Sequence, residues 1–140
     1  MKIIRFTVPG PPKGKARART VRTKSGQTFS YTPEGTVLYE NLIKTSYFQE
    51  CRDSFQNGEA LEVIIKSYYS IPKNISKVKR KQMLSGILLP AKKPDIDNIA
   101  KCILDALNGV AFHDDTQVVK LYMEKQYAEQ PRVEVEIREI

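Results

Sequence analysis

The run Lys93-Pro94-Asp95-Ile96-Asp97-Asn98-Ile99-Ala100-Lys101-Cys102-Ile103-Leu104-Asp105-Ala106-Leu107-Asn108-Gly109 decides how this chain must be read. From Asp97 onward, Ile99, Ala100, Ile103, Leu104 and Leu107 recur at helical spacing and Asn108-Gly109 ends the pattern, which predicts a buried helix. Pro94 biases the residue before it toward extended backbone, and an extended segment over 93–97 would point Asp95 and Asp97 to one side. Two more acids, Asp114-Asp115, follow the far end of the helix.

Downstream, Val119, Leu121 and Met123 alternate with Lys120, Tyr122 and Glu124, and beyond Pro131 the residues Val133, Val135 and Ile137 alternate with Glu134, Glu136 and Arg138. Two sequential strands with a short connection most simply pair as an antiparallel hairpin. Upstream, Ile4, Phe6 and Val8 alternate in a first strand that stops at Pro9-Gly10-Pro11-Pro12, and residues 10–31 read as a long basic loop. Thr32-Pro33 resembles a helix start, with Pro at the first helical position and Val37, Leu38, Asn41, Leu42, Thr45 and Phe48 tracing one side of a helix to about Asp53. A second strand alternates from Leu61 into Tyr69, and Ser76 is placed to cap a short basic helix from Lys77 to Leu84. This order predicts a single domain, 1–140, of the α/β (α+β) class: a small mixed β-sheet covered by helices.

Charge bounds the partners. Lys and Arg number 23 against 16 Asp and Glu, a formal charge of +7, and the surplus is concentrated. No acid precedes Glu34, and none lies between Glu62 and Asp95. Such blocks favour a polyanion as partner. A membrane is disfavoured, because no apolar run approaches the roughly 18 residues a span needs. Two cysteines without metal-ligand spacing argue against a zinc site or disulfide framework, and Arg5 interrupts any apolar signal core, so a cytoplasmic location is expected.

Acids at the centre of a basic chain suit metal-dependent cleavage of a polyanion, with cations holding phosphates and carboxylates holding the ion that activates water. Two blander readings stand beside this one. Asp97 can act as an N-cap, with Lys101 pairing to Asp97 and Asp105 along the helix, and Asp114-Asp115 can simply form a turn. The chemistry also demands a fold-back, since about ten helical residues separate the acid pairs by roughly 15 Å.

The composite of residues 93–101, Asp105-Ala106-Leu107-Asn108-Gly109 and Asp114-Asp115-Thr116-Gln117-Val118-Val119 resembles the signature of the RusA family of Holliday-junction resolvases in residue type, order and spacing. The resemblance extends more loosely to the first strand, Pro11-Pro12 and the basic loop. It implies a homodimeric α/β endodeoxyribonuclease of DNA recombination and repair, often prophage-borne, which binds branched DNA and resolves four-way junctions by paired nicks. It also implies Mg²⁺ as cofactor, with Mn²⁺ as a substitute.

Position by position, the resemblance implies Asp95, Asp97, Asp115 and Lys101 as catalytic residues, with Asp95, Asp97 and Asp115 as metal ligands and Asp114 beside them. Lys13, Lys15, Arg17 and Arg19 in the loop, with Lys92 and Lys93 next to the acids, are the expected phosphate contacts. The segment from Pro72 to Leu89 is longer and more basic than in the short bacterial member, which bears on junction selectivity. A junction-binding protein without catalysis, or a general branched-DNA nuclease, remains the alternative.

Overall fold

A computed structural model describes residues 1–140. Its frame is a four-stranded sheet in the order β1-β6-β4-β5, formed by β1 (Ile3–Pro9), β4 (Leu61–Ser70), β5 (Val118–Ala128) and β6 (Arg132–Glu139). A separate two-stranded sheet pairs β2 (Arg19–Arg22) with β3 (Thr28–Tyr31). Three helices, α1 (Glu34–Glu50), α2 (Lys77–Leu84) and α3 (Ile96–Leu107), complete the α+β architecture.

Alternation along the strands sorts side chains between two faces. Ile4, Phe6 and Val8 of β1, Leu61, Val63 and Ile65 of β4, and Val133, Val135 and Ile137 of β6 are buried together against α1 and α3. The opposite face is a solvated ladder of charge, with Arg5 bound to Glu136 and Arg138 bound to both Glu62 and Glu136. One open face is the ordinary state of a largely antiparallel sheet.

The helix α3 follows the expected pattern: Ile99, Cys102, Ile103, Ala106 and Leu107 are fully buried. Each large apolar side chain so placed contributes about 1.5–3 kcal/mol, well above any difference in helix propensity. Asn108 is its C-cap, and Gly109 takes φ 76°, a left-handed conformation that glycine adopts without steric cost. Ser76 caps α2 as expected, accepting a hydrogen bond from Lys79 N–H at 3.2 Å.

Four expectations are corrected. The first is the hairpin: β5 and β6 do not pair, because β4 lies between them, parallel to β5 and antiparallel to β6. β4 buries Leu61, Val63, Ile65, Ser67 and Tyr69 along its whole length, whereas β5 buries no residue fully, so β4 takes a central position and β5 the edge. Second, residues 10–31 are not loop throughout, since they contain the β2–β3 hairpin.

Third, α1 begins at Glu34 with Pro33 as N-cap and ends at Glu50, and it buries Thr36, Tyr39, Ile43, Ser46 and Tyr47. Val37, Leu38 and Phe48, expected on the packed side, are exposed. Both sides of α1 carry apolar residues, and the side with the two tyrosines wins because Tyr47 meets Phe6 edge to face at 5.5 Å between ring centroids. Fourth, the extended segment stops at Asp95. The hydrogen bond from Ile99 N–H to Asp95 C=O, at 3.1 Å, closes the first helical turn and places Asp97 inside it.

Candidate active site

Asp95 is the N-cap of α3, in extended backbone, and its side chain makes no capping bond. The carboxylate is therefore free for an external partner while sitting at the positive end of the helix. Sheet residues hold the segment that presents it. Tyr69, near the end of β4, donates to Pro94 C=O at 2.6 Å, and Lys125 on β5 donates to Lys92 C=O at 2.6 Å. Lys125 also stacks over Tyr69 at 5.1 Å, and Lys92 over Tyr127 at 5.5 Å. Tyr69, Lys125 and Tyr127 were not singled out from sequence, because they touch residues 92–94 only through parallel pairing of β4 with β5.

Two recesses flank Asp95. One, of about 500 Å³, is lined by Lys13, Lys15, Lys93, Asp95 and Asn98 with no hydrophobic side chain; the other, of about 650 Å³, by Leu89, Lys92, Lys93, Asp95, Ile96 and Lys125. A carboxylate between lysine-lined walls suits a phosphodiester better than an apolar ligand, whose sites are built mainly of hydrophobic side chains.

The basic segment reaches α3 through close packing. A Cβ at Gly14 would lie 3.0 Å from Asn98 Cβ and 3.3 Å from Pro94 Cβ, so glycine permits the approach. Lys15 N–H donates to Asn98 C=O at 3.0 Å, and Ala16 N–H donates to Thr36 Oγ1 at 3.2 Å. The Lys15 ammonium turns inward, 2.9 Å from Glu40 and 3.3 Å from Asp105, with its side chain only 20% exposed. Burial lowers its pKa, but hydrogen bonds to Glu40 and Asp105 outweigh this and raise it above the ordinary value. Its charge is thus balanced within the protein, whereas Arg17 and Arg19 are exposed.

Along α3, Asp97, Lys101 and Asp105 recur at i, i+4 and i+8 and share one face. Asp97 accepts a hydrogen bond from Asn98 N–H at 3.0 Å and makes no ion pair with Lys101. Lys101 lies 3.8 Å from Asp105 with a mostly exposed side chain.

Beyond α3 the chain turns through Ala111 and Phe112, both buried, into a single 3-10 turn, Asp115–Gln117. Gln117 fixes that turn. Its Oε1 accepts from His113 N–H at 2.9 Å and Asp114 N–H at 3.1 Å, and its Nε2 donates to the carbonyls of Gln56 at 2.8 Å and Glu59 at 3.0 Å. Gln117 belongs to the signature quoted from sequence, but its anchoring role is not legible there, since two of its partners are about sixty residues away.

Asp114 caps the turn by accepting from Thr116 N–H. That bond and one from the Asp115 carboxyl hold Asp114 below the ordinary range. Asp115 is raised by the hydrogen bond with Asp114, then by burial and by the charges of Asp114 and Asp105, against a lowering by Lys101. The fold-back therefore brings Asp115 toward the Lys101–Asp105 part of α3.

These acids form no group of three or more metal-ligating side chains. Their carboxylate oxygens are hard donors of the kind a divalent ion takes, and Asp95 makes no capping bond that would compete for it.

The sequence model of the family described as Endodeoxyribonuclease RusA matches residues 9–138, nearly the whole of this chain. The chain belongs to the RusA family. Its members are Holliday-junction endodeoxyribonucleases, generally dependent on a divalent metal. A relative in Bacillus subtilis (strain 168), described only as uncharacterized protein YqaN, is 35% identical over 142 residues, covering all of this chain and 99% of the relative. For this RusA-family chain the α+β fold agrees with the expectation, and no helix is long and apolar enough to cross a membrane.

Proposed function

We propose that this RusA-family protein is a cytoplasmic, Mg²⁺-dependent nuclease, with Mn²⁺ as a substitute, that resolves four-way DNA junctions by paired nicks. The observation that carries the reading is the place of Asp95, an uncommitted carboxylate at a helix N-terminus between two lysine-lined recesses.

Asp95, Asp97 and Asp115 would hold the ion, with Asp114 in support. A bound divalent ion supplies an acidified water and neutralises charge on the phosphate under attack. Lys101, exposed on the Asp97 side of α3, would stabilise the charge that grows on the phosphate oxygens. Lys13, Arg17, Arg19, Lys92 and Lys93 would grip neighbouring phosphates without reading bases. Lys15, paired with two acids, would orient the basic segment instead.

Symmetrical nicking needs two active sites, which a twofold homodimer supplies. An unpartnered sheet edge at β5, with Val119, Leu121 and Tyr122 exposed, supports such an association.

The test is a labelled four-way junction incubated with Mg²⁺ and, separately, with EDTA. Nicks that require the metal and vanish in Asp95→Asn, while junction binding persists, are the expected result. Binding without metal-dependent nicks overturns the enzyme reading in favour of a junction-binding protein, and equal cutting of flaps and linear duplex replaces it with a general nuclease.

A further inference from the structure

Resting on that branched-DNA reading, we infer that the β2–β3 hairpin recognises the branch point itself, by stacking bases that have lost their duplex neighbours on Phe29 and Tyr31.

Antiparallel register puts Arg19 opposite Tyr31 and Val21 opposite Phe29, so these four side chains share one face of the hairpin. Thr20, Ser30, Arg22 and Thr28 form the other, joined across the strands by Thr20 to Ser30 at 3.2 Å. Every residue of both strands is exposed. Phe29 is 51% accessible, Tyr31 43% and Val21 37%. The two rings lie 6.3 Å apart with planes 40° from each other, a splayed pair with accessible faces rather than a closed stack. An isolated two-stranded ribbon gains little stability from such side chains in water. Its own turn shapes it, through Thr23 N–H to Gln27 C=O at 2.7 Å and Gly26 N–H to Thr23 C=O at 3.0 Å.

Charge names the occupant. Arg17, Arg19, Arg22 and Lys24 are exposed on or beside the hairpin, and no acid occurs in the chain before Glu34. A second copy of so basic an arm would be repelled, whereas a polyanion is attracted. Among polyanions, aromatic faces select those with accessible bases, because each base offers a π-face and pairing is not needed to use it. Stacked duplex hides those faces, and a branch point exposes them.

The hairpin is also rooted at the active site. Lys13 and Lys15 line the recess that contains Asp95, and Arg19 is four residues beyond Lys15, within roughly 13 Å in extended chain. DNA held on the arm at its branch point therefore passes the carboxylates at its phosphates. Phe29 and Tyr31 become selectivity residues, distinct in role from the cations around them.

The test uses the full chain in EDTA, so that binding is read without cleavage, with a synthetic four-way junction carrying 2-aminopurine at the branch point and a linear duplex of matching sequence. Phe29→Ala/Tyr31→Ala should lose about tenfold or more in junction affinity relative to duplex and abolish the 2-aminopurine response, with the salt slope of binding maintained. Arg19→Ala/Arg22→Ala should weaken both complexes and lower the slope by about 2. Because the chain has no tryptophan, Phe29→Trp provides a single reporter, expected to be quenched by junction and little affected by duplex. An unchanged junction preference in the alanine pair, equal quenching of the Phe29→Trp variant by both DNAs, or a change of oligomeric mass in the alanine pair overturns the inference. Failure of metal-dependent nicking in the wild type would instead overturn the catalytic reading, leaving these binding results to be judged separately.

Discussion

Lys15 and Asp105 meet where the basic segment crosses α3, with Nζ 3.3 Å from Oδ2, and the same ammonium lies 2.9 Å from Glu40 on α1. Two helices and the basic segment are thus joined at one cation. Asp105 has Lys101 as a second partner at 3.8 Å, so Lys15 relieves Lys101 of part of the charge it faces.

Lys15→Met should destabilise the fold by about 2 kcal/mol in urea unfolding, since two half-buried carboxylates lose their hydrogen-bonded cation. Adding Asp105→Asn should recover part of that loss, with a coupling of about 1 kcal/mol between the two positions. Strict additivity would remove the pair from the stability of the domain.

Gln117→Met is expected to cost about 2–4 kcal/mol, because it leaves the N–H groups of His113 and Asp114 and the carbonyls of Gln56 and Glu59 without their partner. Thermal and urea unfolding would read this, and a wild-type midpoint would show that water replaces the amide. Slower nicking by the folded fraction should accompany the loss, as Gln117 holds the turn that carries Asp115.

Lys101→Ala should lower kcat for junction nicking by about 10²–10³-fold while changing junction affinity far less, as expected for a cation that acts on developing charge. Equal losses in affinity and rate would make it a phosphate anchor instead.

The two thiols should differ in reactivity. Cys102 is fully buried, and burial, with Glu40 and Asp105 adding to it against Lys15, pushes its pKa up to about 12. Cys51 is partly exposed. One equivalent of a thiol reagent should react in native protein at pH 8, and two after denaturation. Two fast equivalents in the native state would contradict the packing of α3.

Acid should loosen the open face of the sheet. Burial raises Glu136, but hydrogen bonds from Arg5 and Arg138 outweigh it and hold its pKa below the ordinary 4.5. A depressed acid contributes stability above its unfolded pKa and loses it as the pH falls through the folded value, so the loss begins near pH 4.5 and deepens below. Glu136→Gln should flatten unfolding stability over that range, and an unaltered acid limb would assign the pH dependence to other carboxylates.

The sequence alone determined what depends on neighbours a few residues apart. Ile99, Ile103 and Leu107 specify the buried side of α3, Asn108-Gly109 its end, Ser76 the start of α2, and the composite motif across residues 93–119 the RusA family. Helical and strand periods are written locally, and so are caps. Tertiary structure alone decided that β4 separates β5 from β6, that Tyr47 rather than Phe48 faces the core from α1, that Lys15 turns inward to Glu40 and Asp105, and that Gln117 ties the Asp114-Asp115 turn to residues 56–59. Each of these outcomes is a competition between partners far apart in the chain. Burial and hydrogen-bond satisfaction across the assembled core settle such competitions, and no local period records the winner.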